Sequence, residues 1–101
     1  RKSRSRLTTY RLTFLRDAEK EWKKLDKTIQ TQFAKKLRER LGNPRVPSAR
    51  LHDMPDCYKI KLRKVGYRLV YRVFDDRIVV QVVAVGKRER NEAYAVAARR
   101  I

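Results

Sequence analysis

The sequence holds one cysteine, Cys57, one histidine, His52, and 11 acidic residues against 28 lysines and arginines, and none of its apolar runs reaches the length of a membrane span. Each scarcity excludes something. A single thiol forms no internal disulfide, and Cys57 with His52 falls short of the four ligands of a structural zinc site. One histidine leaves no two-histidine acid–base pair. The only adjacent carboxylates, Asp75 and Asp76, lie in a predicted turn, where aspartate serves backbone geometry. A metal-dependent nuclease centre is therefore disfavoured, and neither a metal nor a cofactor is expected. A spanning helix needs about 20 consecutive apolar residues, and Arg1 to Arg6 leads into no apolar core of a secretory signal. A cytoplasmic protein without membrane association is the expectation.

What the chain has in excess is positive charge. Its 101 residues carry a formal net charge of +17, and 42% of them are hydrophobic. That length suits one domain with one modest core. Such a charge calls for a polyanionic partner: nucleic acid, an acidic protein and an anionic membrane surface are the candidates.

Arg1 to Thr9 is basic and without period, which predicts a flexible arm ahead of a single domain over 10–101. Tyr10 to Leu15 alternates in the manner of a half-buried strand, with Tyr10, Leu12 and Phe14 on one face. From Asp17 the period becomes helical. Ala18, Trp22 and Leu25 form one stripe, and Ile29, Phe33, Leu37 and Leu41 a second after a break at Asp26 to Thr28, so an αα-hairpin is predicted. Gly42-Asn43-Pro44 offers a left-handed cap and a stop. After a loop over Arg45 to Pro55, strands are predicted over Cys57–Arg63, Tyr67–Phe74 and Arg77–Val85. The last is almost continuously apolar, as a central, doubly covered strand should be. Asn91 then caps a final helix carrying Ala93, Tyr94, Ala97 and Ala98. The fold class is α+β: an N-terminal strand, an αα-hairpin, a three-stranded antiparallel meander and a C-terminal helix. The hairpin is expected to cover one sheet face and leave the other partly open.

Chemistry concentrates in the meander. Alternation sets Lys59, Lys61 and Arg63 on one face of their strand, and a short turn through Gly66 brings Arg68 within cross-strand reach of them. Arg88 follows the central strand and is expected to return toward the same cleft. Like charges directly opposed weaken a sheet, so stability alone does not favour this grouping. A metal-free cationic site suits stabilisation of a pentacoordinate phosphate during attack by an RNA 2′-OH. For a lysine to act as base, its pKa near 10.4 must fall toward 7, a change of about 4.6 kcal/mol. A cation at about 5 Å contributes roughly 3 kcal/mol at an effective dielectric constant of about 20, so two neighbours suffice.

The segments Asp56-Cys57-Tyr58-Lys59-Ile60-Lys61-Leu62-Arg63, Gly66-Tyr67-Arg68-Leu69-Val70-Tyr71 and Val85-Gly86-Lys87-Arg88-Glu89-Arg90, with Tyr94, closely resemble the RelE toxins of bacterial and archaeal toxin–antitoxin pairs. The resemblance runs from about Tyr10 to Arg100. It implies a microbial-ribonuclease-type fold and a metal-independent endoribonuclease that enters the ribosomal A site, cleaves the mRNA there and so inhibits translation. It also implies a RelB-like antitoxin and transcriptional autorepression, with operator DNA contacted only through the joint complex. By position, Lys61 would be the general base, Lys59 and Arg68 would hold the scissile phosphate, Arg88 would support the leaving 5′-oxygen and Tyr94 would stack on a codon base. Arg63, Lys87 and Arg90, with Lys35, Lys36 and Arg38 on a hairpin face away from the cleft, would contact RNA of the ribosome. Leu51-His52-Asp53 departs from the Leu-Arg-Gly of close relatives, which puts a contribution of that loop to RNA contact in doubt. The alternative is a non-catalytic ParE-like toxin that binds a protein target such as gyrase.

Overall fold

The structure, a computed structural model, describes residues 9–87, 89 and 92–101. Its elements are β1 (Arg11–Phe14), α1 (Arg16–Lys23), α2 (Lys27–Gly42), a 3-10 turn (Pro47–Ala49), β2 (Cys57–Leu62), β3 (Tyr67–Phe74), β4 (Val79–Lys87) and α3 (Glu92–Arg100). This is the expected α+β order. Of the predicted arm only Thr9 is described; Arg1 to Thr8 and the predicted cap Asn91 lie outside the described residues. No helix among the described residues is long and apolar enough to cross a membrane.

The four strands form one sheet in the order β1-β4-β3-β2. β2, β3 and β4 make the antiparallel meander, and β1 adds to β4 in parallel, Arg11 opposite Val79 and Phe14 opposite Val82. The apolar run of β4 is thereby explained, because a strand with neighbours on both edges and packing on both faces has little use for polar side chains. A register irregularity at Val70/Tyr71 sets Val70 opposite Ala84 and Tyr71 opposite Val82. The extra residue, Val83, joins Ala84 on the face away from the hairpin.

The hairpin covers the other face. Ala18, Phe33 and Leu37 pack there with Ile60, Leu69, Tyr71, Val80 and Val82, and Trp22 lies 5.4 Å from the Phe14 ring. Gln30 Nε2 donates to the Trp22 carbonyl at 2.7 Å, satisfying a backbone acceptor at the end of α1 and joining the two helices. Tyr71 is fully buried, yet its hydroxyl donates to Pro44 O at 2.6 Å and accepts from Arg40 Nη1 at 2.9 Å. The same Arg40 nitrogen donates to Lys59 O at 3.1 Å, occupying a carbonyl on the outer edge of β2.

One expectation is refined and two need correction. The face opposite the hairpin is covered in its middle, where α3 and the loop before β2 build a second core from Met54, Cys57, Val70, Val83, Ala84 and Ala97. Within that core, burial pushes the Cys57 thiol up to about 11, which leaves it protonated and inert at neutral pH. The left-handed cap at Gly42 does not form. Pro44 disfavours helical geometry in the residue before it, so Asn43 leaves the helix, with φ −157° and ψ 79°, and Gly42 stays helical. The last strand starts at Val79 and not at Arg77, because Asp75 to Ile78 form the turn.

That turn carries a conformational penalty. Left-handed φ values occur at Gly66 (72°), Asp56 (61°) and Ile78 (54°). Glycine and aspartate tolerate this geometry, whereas a β-branched residue is strained there. Ile78 is held by its carbonyl, which accepts from the Arg11 N–H at 2.9 Å. With 42% of its surface exposed, its side chain gives back little burial energy. Ile78→Asn should therefore raise stability by about 1 kcal/mol, read as a higher urea midpoint at unchanged slope. A lower midpoint would show that side-chain packing at Ile78 outweighs the backbone strain.

Candidate active site

The β2–β3 hairpin register places Lys61 directly opposite Arg68 and Lys59 opposite Val70. Opposed residues of an antiparallel pair project to the same face, and alternation adds Lys59 to that face. Arg63 stands just beyond the strand in the turn to Gly66. A cleft of about 230 Å³ opens here, lined by Lys61, Leu62, Arg63, Gly66, Tyr67 and Arg68. The φ of 72° at Gly66 permits the tight return that forms its floor.

The charges act on one another. Lys59 is the largest influence lowering the Lys61 pKa from its ordinary value, followed by loss of hydration and by Arg68 and Arg63. Each cation disfavours another proton on Lys61. The direction matches the electrostatic argument made from the sequence.

Tyr94, on α3, reaches this site from the second core. The Arg68 guanidinium sits 4.9 Å from its ring centroid, a cation–π contact that fixes the arginine above the strand. Burial raises the Tyr94 pKa, and the Arg68 charge opposes it. The phenol oxygen is buried without a hydrogen bond of good geometry. Tyr94 is thus both a core aromatic and the side wall of the cationic group.

The remaining predicted residues are distributed as follows. Lys35 and Arg38 are exposed on α2. Lys36 is not remote from the cleft, contrary to expectation: with Gln32 it borders a second depression of about 330 Å³, lined also by Lys61, Leu62, Arg63 and Lys64. The reason is that α2 crosses β2, the sheet's edge strand, and its middle turn overhangs the β2–β3 turn. Among the described residues no carboxylate lines either depression. Lys87 pairs with Tyr67, one position away from the Gly86–Arg68 pair, so alternation turns it toward the opposite face at the same sheet end. Arg88 and Arg90 lie outside the described residues. His52 is exposed in the loop before β2. Among the described residues no three His, Cys, Asp or Glu side chains are grouped to share a metal ion.

Sequence reasoning missed the residues that hold Tyr94 in place. Arg100, in the last turn of α3, makes a bidentate pair with Glu21 of α1, Nη1–Oε1 3.1 Å and Nη2–Oε2 2.7 Å, and its Nη1 also donates to Val83 O at 2.8 Å. Glu21 in turn accepts the Val85 N–H at 3.0 Å. Nothing local signals a pair separated by 79 positions. A side-chain exposure of 20% and 29% places it between a surface and a buried ion pair. Glu21→Gln should cost about 1–2 kcal/mol. It should speed amide hydrogen exchange in α3 selectively, leaving β3 and β4 protected; uniform loss of protection would refute a local docking role.

A family model described as the ParE toxin of the type II toxin–antitoxin system parDE matches residues 12–92. The mRNA interferase toxin RelE of Escherichia coli K12 is 55% identical over 92 residues, covering 91% of this chain and 97% of that relative. Among solved structures, an E. coli RelE variant with two arginines replaced by alanine, in the free state, superposes with a TM-score of 0.86 at 52% identity, covering 93% of this chain and 99% of that one. RelE in the intact E. coli RelBE toxin–antitoxin complex superposes with a TM-score of 0.76 at 55% identity, over 77% of this chain and 95% of that one.

Proposed function

Because this chain belongs to the RelE/ParE family of type II toxin–antitoxin toxins, we propose that it is an endoribonuclease toxin that cleaves mRNA in the ribosomal A site without a metal ion and so stops translation. The observation that carries this reading is the convergence of Lys59, Lys61 and Arg68 on one sheet face, with Tyr94 against Arg68, next to a cleft lined by Lys61, Arg63 and Arg68 and by no carboxylate among the described residues. Lys61, in the neutral amine form that its cationic neighbours favour, takes the proton of the 2′-OH. The 2′-oxygen attacks phosphorus, the bond to the 5′-oxygen breaks, and that oxygen takes up a proton from water while Lys61 returns its own to solvent. The products are a 2′,3′-cyclic phosphate and a 5′-hydroxyl. Lys59 and Arg68 neutralise the charge gathering on the phosphate. Arg68 enters that role already oriented by the Tyr94 ring, and Tyr94 offers its exposed portion to a codon base. Arg88 supports the leaving oxygen.

A site made of cations does little to align a flexible strand, and orientation is worth several kcal/mol. The ribosome supplies a codon already ordered, so naked RNA is cut poorly in this reading. Lys35, Lys36, Arg38, Arg63, Lys87 and Arg90 contribute to RNA docking, Lys36 at the rim of the site itself. A RelB-like antitoxin is the protein partner, as in the solved RelBE complex. Operator DNA is reached through the joint complex, and the protein acts in the cytoplasm.

The match to a family model described as ParE favours one other reading, a toxin that binds a protein target and cuts no RNA. A translation extract separates the two: primer extension on a translated message should show codon-dependent breaks with the wild type and none with Arg88→Ala, which should still bind antitoxin. Intact message with the wild type would sink the nuclease reading.

The charge coupling adds a pH test. Cleavage on programmed ribosomes should rise with pH through the lowered Lys61 pKa and level off above it. Lys59→Ala removes the largest depressing influence, so the inflexion should move to higher pH and the rate at neutral pH should fall. An inflexion that stays in place would assign the base to another group.

A further inference from the structure

The sheet face that carries Lys61 and Arg68 has a second basic area at its other end, beyond the core under α3. There the register sets Arg72 opposite Gln81 and Gln81 opposite Thr13, and Phe74 opposite Val79 and Val79 opposite Arg11. By alternation all of these project to one face. Phe74 holds two guanidinium groups, that of Arg72 at 4.9 Å and that of Arg77, in the following turn, at 4.3 Å from its ring centroid. Arg11 and Arg77 are exposed, while Arg72, Phe74, Thr13 and Gln81 are half-buried. The Nε of Arg72 is buried with no hydrogen-bond partner. Of the two turn carboxylates, Asp75 is drawn to the hairpin side by Arg45, at 2.8 Å, and by the Tyr10 hydroxyl, at 2.6 Å. Asp76 remains exposed in the turn beside Arg77.

Stability does not call for this arrangement. Three arginines gather where the described structure gives none of them an ion pair, at a strand end that a chain of net charge +17 gains nothing by charging further. Stacking on Phe74 restricts the Arg72 and Arg77 guanidiniums in advance, which lowers the entropy lost when they clasp a planar or tetrahedral anion. Gln81 and Thr13 between them add neutral hydrogen-bonding groups suited to sugar hydroxyls. We propose that Arg11, Arg72 and Arg77, organised by Phe74, form a second RNA-backbone site, separate from the Lys61–Arg68 cleft, with Phe74 about 20 Å and Arg72 about 13 Å from Arg68 along β3. It binds phosphates of an RNA strand and takes no part in bond cleavage, so it stands apart from the reaction proposed above.

The test is binding of a 20-nucleotide single-stranded RNA, fully 2′-O-methylated so that 2′-OH attack is impossible, to the full chain, measured by fluorescence anisotropy across a salt series. Arg11→Gln/Arg72→Gln/Arg77→Gln should weaken binding on the order of tenfold or more at 0.1 M salt and reduce the slope of log affinity against log salt by up to about 2. The triple change Lys20→Gln/Lys23→Gln/Lys24→Gln, on the far hairpin face, removes the same charge and should change the slope much less. Phe74→Leu keeps an apolar side chain but loses the ring, and should weaken binding about two- to fivefold with the slope unchanged. Should the arginine triple variant fail to fold, Arg11→Gln/Arg77→Gln, both exposed, should lose up to about 1.4 of slope. Equal slopes for the arginine and lysine variants would overturn the site as general charge. Loss of polyglutamate binding with RNA binding intact would overturn it in favour of an acidic protein partner.

Discussion

Two cations, Lys61 and Arg68, face each other across adjacent strands, and much of the molecule serves to keep them there. Opposed like charges push a hairpin apart. The β2–β3 pair resists because it is not free-standing: Ile60, Leu62 and Leu69 are buried on the reverse face against the helical hairpin, and β4 binds the other edge of β3. Arg40 fastens the outer edge of β2 through Lys59 O and ties it to the buried Tyr71 hydroxyl. Repulsion is retained where it lowers a lysine pKa, and its structural cost is met on the opposite side of the sheet.

The second device is α3. Its apolar residues Ala93 and Ala97 are buried, so the helix is anchored by packing. Its orientation is set at the far end by the Arg100–Glu21 pair. Tyr94 occupies the boundary between that packing and the cationic site, and its contact with Arg68 transmits the position of the helix to the guanidinium. The charge that prepares the site and the core that supports it therefore meet in one residue pair.

Excess positive charge is spread unevenly over this frame. Acidic side chains are few, 11 in all, and four of them are held in ion pairs: Asp75 and Asp56 with Arg45, Glu21 with Arg100 and Glu19 with Lys23. Among the described residues, Arg11, Arg72 and Arg77 at one end of the open sheet face make no ion pair. The middle of that face is closed by the second core, which divides it into two basic areas and keeps Cys57 out of any chemistry.

Element order, the central character of β4, the scarcity of metal ligands and the grouping of Lys59, Lys61 and Arg68 were all legible in the sequence, because each depends on local periodicity or on alternation within a hairpin. A strand pattern assigns faces, and a short turn brings neighbours in sequence into register. The tertiary structure decided what depends on distant pairs and on rigid placement: the parallel docking of β1, the closure of the second face by α3, the Glu21–Arg100 anchor, the approach of Lys36 to the cleft and the clasp of Arg72 and Arg77 on Phe74. Alternation could not have shown where α2 crosses an edge strand or which helix covers a face. Those outcomes follow from burying as much apolar surface as possible around all four strands at once, a condition that no single segment carries.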